Sequence, residues 1–174
     1  NVGAASIAGQ LLSTGTSTRS KSEIDLAIDF IGASMSTSST GVFGSSLTKH
    51  KDALLDIMQD VLLNPTFSEE EFEKIKKRTI SSIIQNKEDA NAIASSVAQV
   101  LRYGKDHPYG EIETEESIEA TTVERCKSFY NYYFKPNISY LTIVGDITPE
   151  EAKTLATKYF GSWEKGPIDR GNFD

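Results

Sequence analysis

A chain of 174 residues carrying a formal charge of −7 can bury one ordinary globular core, and its acidity argues against a nucleic-acid partner, which needs clustered positive charge. With 38% hydrophobic and 25% charged residues it has the composition of a globular domain, and no apolar run reaches the length that crosses a bilayer. Its single cysteine, Cys126, rules out an internal disulfide framework and, set among apolar and aromatic residues of a predicted helix, reads as a buried structural thiol.

The chain opens on "NVGAASIAG", with no initiator Met and no signal-like segment, which reads as an excised piece of something longer. Ala4, Ile7, Ala8, Leu11 and Leu12 then recur at helical spacing, with Gly15 as terminator. A second helix starts at "SKSE", where Ser20 and Glu23 have capping-box spacing, runs along Ile24, Ala27, Ile28 and Ile31, and stops at Gly32. Residues 33–48 change to β-branched and small residues around a central glycine, which predicts a hairpin. Its faces carry Ser and Thr where a buried sheet carries Val and Ile, so one face is expected to be solvated, to line a cavity or to meet a partner.

Residues 51–63 form a third helix on Ala53, Leu54, Ile57, Val61 and Leu62, ended by "NP". A long helix starts at the box Ser68 to Glu71 and continues through Phe72, Ile75, Thr79 and Ile83 to about Asn86. Its basic run "KIKKR" follows "EEEFE", the order that the helix dipole and i,i+4 pairing favour. Another helix spans about Asp89 to Arg102, followed by the loop "YGKDHPYGE". "TTVERCKSFYNYYF" is a helix opened by Thr121 and Glu124 and closed before Pro136. "ISYLTIVGD", residues 138–146, is the clearest strand signal in the chain. The last helix begins with Thr148 as N-cap and Pro149 at its first position. Residues 166–174, within "EKGPIDRGNFD", read as a linker, which leaves residues 1–165 as one α+β unit.

Chemistry is sparse. The two histidines, His50 and His107, lie far apart, and neither has a second ligand at i+3 or i+4 on a predicted helix. Both suit surface or structural roles, with His107 as a minor candidate for a metal shared with a partner chain. Glu69, Glu70 and Glu71 belong to a helix's first turn, and Glu111, Glu113, Glu115 and Glu116 flank a loop; both groups read as solvated acids. There is no G-x-S-x-G elbow, no Walker loop and no dinucleotide fingerprint, and the "NIS" sequon at 137–139 falls at the start of the predicted strand.

The order of the segments is more telling. "GQLLSTGTSTRSKSEIDLAIDFIGASMSTSSTGVFG", then "LLDIMQDVLLNPTFSEEEFEKIKKRTISSIIQNKEDA", then "YGKDHPYGEIETEESIEATTVERCKSFYNYYFKPNISYLTIVGDITPEEAKTLATKYFGSW" resembles, over residues 3–165, the pitrilysin/insulinase family of zinc metallopeptidases, which includes the mitochondrial processing peptidases. Active members carry H-x-x-E-H on the first helix, two zinc-binding histidines on one face with a glutamate that activates the metal-bound water. Counting back from the family's Gly-Thr turn, here Gly15 and Thr16, the resemblance aligns the histidines with Ser6 and Gln10 and the glutamate with Gly9. The third ligand falls near Ser81 or Ser82, and Glu88 lies about two turns too late to replace it. None of these residues can serve: hydroxyl and amide are poor zinc ligands beside imidazole, and glycine has no side chain.

The resemblance therefore implies a noncatalytic half-unit, α+β, with helices packed on one face of a small antiparallel or mixed sheet and with the family's N-terminal strands absent. Such units complete the substrate chamber and bind peptide for a homologous zinc-bearing domain or subunit. It implies no zinc in this chain, zinc in the partner, and dimerisation or a truncated sheet where strands are absent. Arg102 and Tyr109 do not match the family's substrate-contacting Arg and Tyr in context. The alternative is a structural or binding module with no peptidase context.

Overall fold

The computed structural model describes residues 2–105 and 107–168. Helix α1 (Ala4–Leu11) sits at the centre: Ala4, Ile7, Ala8 and Leu11 are buried, and Leu12 opens a single 3-10 turn, Leu12–Thr14, that carries the chain to Gly15. Helix α2 (Lys21–Phe30) begins at Ser20 with the expected capping box, in which the Ser20 side chain accepts from the Glu23 backbone and the Glu23 carboxylate accepts from the Ser20 backbone.

Strands β1 (Ser34–Ser38) and β2 (Gly41–Ser45) pair antiparallel, with Met35 opposite Gly44 and Thr37 opposite Val42. Met35 and Val42 pack against the core, while Ser34, Ser36, Ser38, Phe43 and Ser45 face outward and are exposed. The period-2 alternation thus resolves the polar hairpin: its serine face is solvated. Gly44 lets β2 lie flat on the next helix, since a Cβ there would come within 2.6 Å of the Met58 sulfur.

Helix α3 (Lys51–Leu63) ends at Asn64, and α4 (Glu69–Asn86) follows the Pro65–Ser68 link. Within that link the buried Phe67 holds φ +51°, uncommon for a bulky residue, and its ring lies 5.3 Å from that of Tyr130. Lys74 pairs with Glu70 at 2.8 Å and Glu71 at 2.7 Å, as the charge order predicts. Helices α5 (Ala90–Tyr103), α6 (Glu115–Glu119), α7 (Val123–Tyr133) and α8 (Pro149–Phe160) complete the chain, α8 with Thr148 accepting from the Glu151 N–H and Pro149 in the first turn. Around α1 gather α4, α7 and β1, whose Phe72, Ile75, Val123 and Cys126 close the core.

Four expectations need correction. Residues 138–146 form no strand: Pro136–Ile138 is a 3-10 turn, and the run beyond it is unpaired, with Tyr140 98% and Val144 92% exposed. A strand exists through its ladder, and the described sheet has two strands that already pair with each other, so this β-rich run is left without a neighbour. Ser68 is an N-cap by position, but its hydroxyl makes no cap hydrogen bond. Helix α7 is capped by Thr122, not Thr121; Thr121 is buried and donates to the Ser117 carbonyl at 2.9 Å, a bond available because α6 forms in a stretch to which the sequence assigned no element. Glu113, expected to be solvated, is half-buried, and desolvation pushes its pKa up.

Candidate functional site

Helix α1 presents two stripes. One, through Ile7 and Leu11, is core; the other carries Ser6, Gly9 and Gln10, the residues that the resemblance aligns with the zinc motif. Gly9 is buried, and the space over it is filled by backbone from the tip of the hairpin. A Cβ built at Gly9 would lie 2.7 Å from the Ser38 carbonyl oxygen and closer still to Ser38 C and Ser39 N. The hairpin is also tied down beside it, by a 3.2 Å hydrogen bond between the Ser13 and Thr37 hydroxyls. No side chain, acidic or otherwise, fits at position 9 while the hairpin is seated.

Gln10 is held at both ends. Its Nε2 donates back to the Ser6 carbonyl at 3.5 Å, and its Oε1 accepts from Arg78 Nη2 at 2.6 Å, bridging α1 to α4. One turn further along α4, Ser81 donates to the Lys77 carbonyl at 3.0 Å; Ser81 and Ser82 are exposed. Glu88 follows the end of α4 and is exposed as well. Among the described residues no group of three His, Cys, Asp or Glu side chains gathers as a metal-ligand set. Hydroxyl, amide and glycine, with a backbone packed over the glycine, do not fit a zinc ion.

The Gly15–Thr16 turn, by contrast, is densely bonded. The buried Asp60 accepts from Thr16 Oγ1 at 2.6 Å, Thr18 Oγ1 at 2.7 Å, Arg19 Nη1 at 2.7 Å and Asn64 Nδ2 at 2.9 Å. Burial alone would raise the Asp60 pKa, but the hydrogen bonds from Thr16, Thr18, Asn64 and Arg19 outweigh it and hold it below the usual carboxylate range. The Gly15 carbonyl accepts from both the backbone N–H and the hydroxyl of Thr66, each at 3.1 Å. This turn is a clamp that fixes the end of α1 to α3 and to the link before α4.

The histidines stay outside this region. His50 ends a 3-10 turn before α3, and His107 lies in an aromatic group with Tyr103 and Tyr109. Arg102 sits 6.0 Å over the Tyr103 ring. Cys126 is fully buried, and desolvation raises its pKa to about 11, which leaves it a poor nucleophile. An apolar cleft of about 1670 Å³ opens at the start of α1 and is walled by Ile93 and Val97 of α5 and by Phe129 and Tyr133 of α7. The sequence places a helix over about Asp89 to Arg102 without indicating which of its residues face open space. No helix among the described residues is long and apolar enough to cross a membrane.

Residues 1–102 match the family model described as "Insulinase (Peptidase family M16)", and residues 120–173 match "Peptidase M16 inactive domain". The chain is 27% identical over 156 residues to the uncharacterized zinc protease YmxG of Bacillus subtilis, covering 86% of this chain and 38% of that protein. It is 26% identical over 166 residues to an uncharacterized zinc protease of Mycobacterium leprae, covering 92% and 37%. The chain thus spans under two fifths of the length of these relatives. Among solved structures it resembles a peptidase M16 inactive domain from Pseudomonas fluorescens, with a TM-score of 0.82 at 21% identity over 97% of this chain and 43% of that one. It also resembles a protease from Helicobacter pylori, with a TM-score of 0.79 at 17% identity over the same shares, 97% and 43%.

Proposed function

The chain belongs to peptidase family M16, the insulinase family, as a noncatalytic domain of the zinc-protease type, and from that premise we propose that it completes a substrate chamber and binds peptide for a homologous zinc-bearing domain or subunit. The observation that carries this reading is the hairpin backbone packed over Gly9. Where the alignment calls for the water-activating glutamate, the fold leaves no room for a side chain. Ser6 and Gln10 keep the surface of α1 polar. Such a surface suits the polar backbone of an extended peptide and supplies no group to cleave it.

The test is to measure bound zinc, peptidase activity and fluorescent-peptide binding on the purified chain. The expected result is measurable peptide binding without stoichiometric zinc and without chelator-sensitive hydrolysis. Stoichiometric zinc together with chelator-sensitive hydrolysis would overturn the reading. Absence of binding to any peptide would instead favour a structural module with no peptidase context.

A further inference from the structure

We propose that Arg78, positioned by Gln10, is a carboxylate-binding site on this face, so that the peptide received here is one bearing a carboxylate; the inference rests on the peptide-binding reading above. Arg78 is exposed on α4, and its Nη2 donates to the neutral Gln10 Oε1 at 2.6 Å. The Gln10 Nε2 lies 3.5 Å from the Ser6 carbonyl oxygen, an orientation that turns its Oε1 toward Arg78.

The other described arginines make different contacts. Arg19 spans Asp56 and Asp60 at 2.7 Å each, Arg125 donates to the Ala120 carbonyl at 3.0 Å, and Arg102 stacks on Tyr103. Arg78 is anchored without being neutralised: among the described residues no carboxylate pairs with it. A guanidinium carries five N–H donors in a planar fork, and one bond to Gln10 leaves an edge free for two parallel bonds to a carboxylate. The exposed Ser82, one turn along α4 on the same side, offers a further donor. On a chain with a formal charge of −7, this fixed cation is a local exception.

The carboxylate can be a peptide's C-terminus or an acidic side chain. Three fluorescein-labelled apolar peptides of one sequence separate these sources by anisotropy: one with a free C-terminal carboxylate, one C-terminally amidated, and one amidated with an internal Glu. Arg78→Gln is expected to weaken the carboxylate-bearing peptides about five- to tenfold, as for a charge-assisted bidentate contact at a partly exposed site, and to leave the plain amide unchanged. Whichever of the two carboxylate peptides responds identifies the source. Arg78→Glu should reverse the preference toward a Lys-bearing amide. Gln10→Ala should weaken the same peptides less than Arg78→Gln does, because it removes the anchor and keeps the charge. The proposal is overturned if Arg78→Gln binds all three peptides as the parent does, or weakens all three equally. If the parent chain binds no peptide, the chamber reading fails and this proposal with it.

Discussion

Gly9→Ala is the most direct probe of the packed hairpin. At an open helical position this change stabilises by about 1 kcal/mol, because alanine loses less backbone entropy than glycine and propagates the helix better. Here the new methyl would lie 2.7 Å from the Ser38 carbonyl oxygen and closer still to two more backbone atoms, against the ~3.3 Å at which carbon and carbonyl oxygen normally touch. Backbone cannot rotate away as a flexible side chain can, so the tip of the hairpin must lift. Overpacking of this kind costs about 1–3 kcal/mol or more, and lifting the tip also strains the hydrogen bond between Ser13 and Thr37. Contacts this short to fixed backbone put the cost at the upper end of that range, about 2–3 kcal/mol, so after the gain of about 1 kcal/mol in helix propensity a net loss of about 1–2 kcal/mol remains, which for a chain of this size lowers the unfolding midpoint by about 2–8 °C. Thermal and urea unfolding followed by circular dichroism measure it. A variant as stable as the parent, or more stable, would refute the placement of the hairpin over α1 and the steric argument built on it.

Restoring the motif residues alone should not restore the metal: Ser6→His, Gly9→Glu and Gln10→His combined are expected to bind less than stoichiometric zinc in equilibrium dialysis, since no acid stands near Ser81 or Ser82 and the hairpin occupies the space over position 9. One zinc per chain would contradict this. Asp60→Asn should cost about 2–4 kcal/mol at neutral pH, because Arg19, Thr16 and Thr18 lose the carboxylate they converge on. Since folding holds the Asp60 pKa below its ordinary value of 3.8, its contribution is complete above that value and is lost as pH falls through the folded pKa. The gap between parent and variant should therefore narrow in urea unfolding below about pH 4, and a constant gap would show that ionised Asp60 is not what holds the clamp. Cys126, fully buried and with its pKa raised to about 11, should react with a thiol reagent at neutral pH only in denaturant, and stoichiometric labelling of the native chain would contradict its burial.

Helices that carry both an apolar stripe and a local stop were legible in the sequence. Lys51–Leu63 begins and ends where its pattern and the following Asn-Pro place it, and the box at Ser20 and Glu23 forms as its spacing implies. Features that depend on a remote neighbour were not. The run at 138–146 has strong β character, but β character is a preference for a surface that other strands must supply. The packing over Gly9 was hidden for the same reason: a glycine inside a helix is equally consistent with open space and with backbone remote in sequence, as that of Ser38 and Ser39 is. The Gln10–Arg78 bond joins two helices whose periodicity says which faces are apolar and nothing about which polar residues meet.

The same geometry explains how α1 can keep its place in the fold with Ser6, Gly9 and Gln10 at the positions that the resemblance aligns with the zinc motif. Ile7, Ala8, Leu11 and Leu12 supply the buried stripe, and none of them coincides with Ser6, Gly9 or Gln10. Changes on the second stripe leave the apolar contacts with α4 and α7 intact. The Gly15–Thr16 turn, bonded to Thr66 and Asp60, holds the helix end independently of both stripes. A zinc site needs specific side chains on the second stripe, whereas the packing needs glycine at position 9 and accepts small or polar residues at 6 and 10. At Gly9 the requirement is strict: the hairpin backbone packs directly on the helix, so the position serves as a contact between elements. Any side chain at position 9 requires that the hairpin move, so on the function proposed above peptide binding, and not hydrolysis, is the activity to look for on this face.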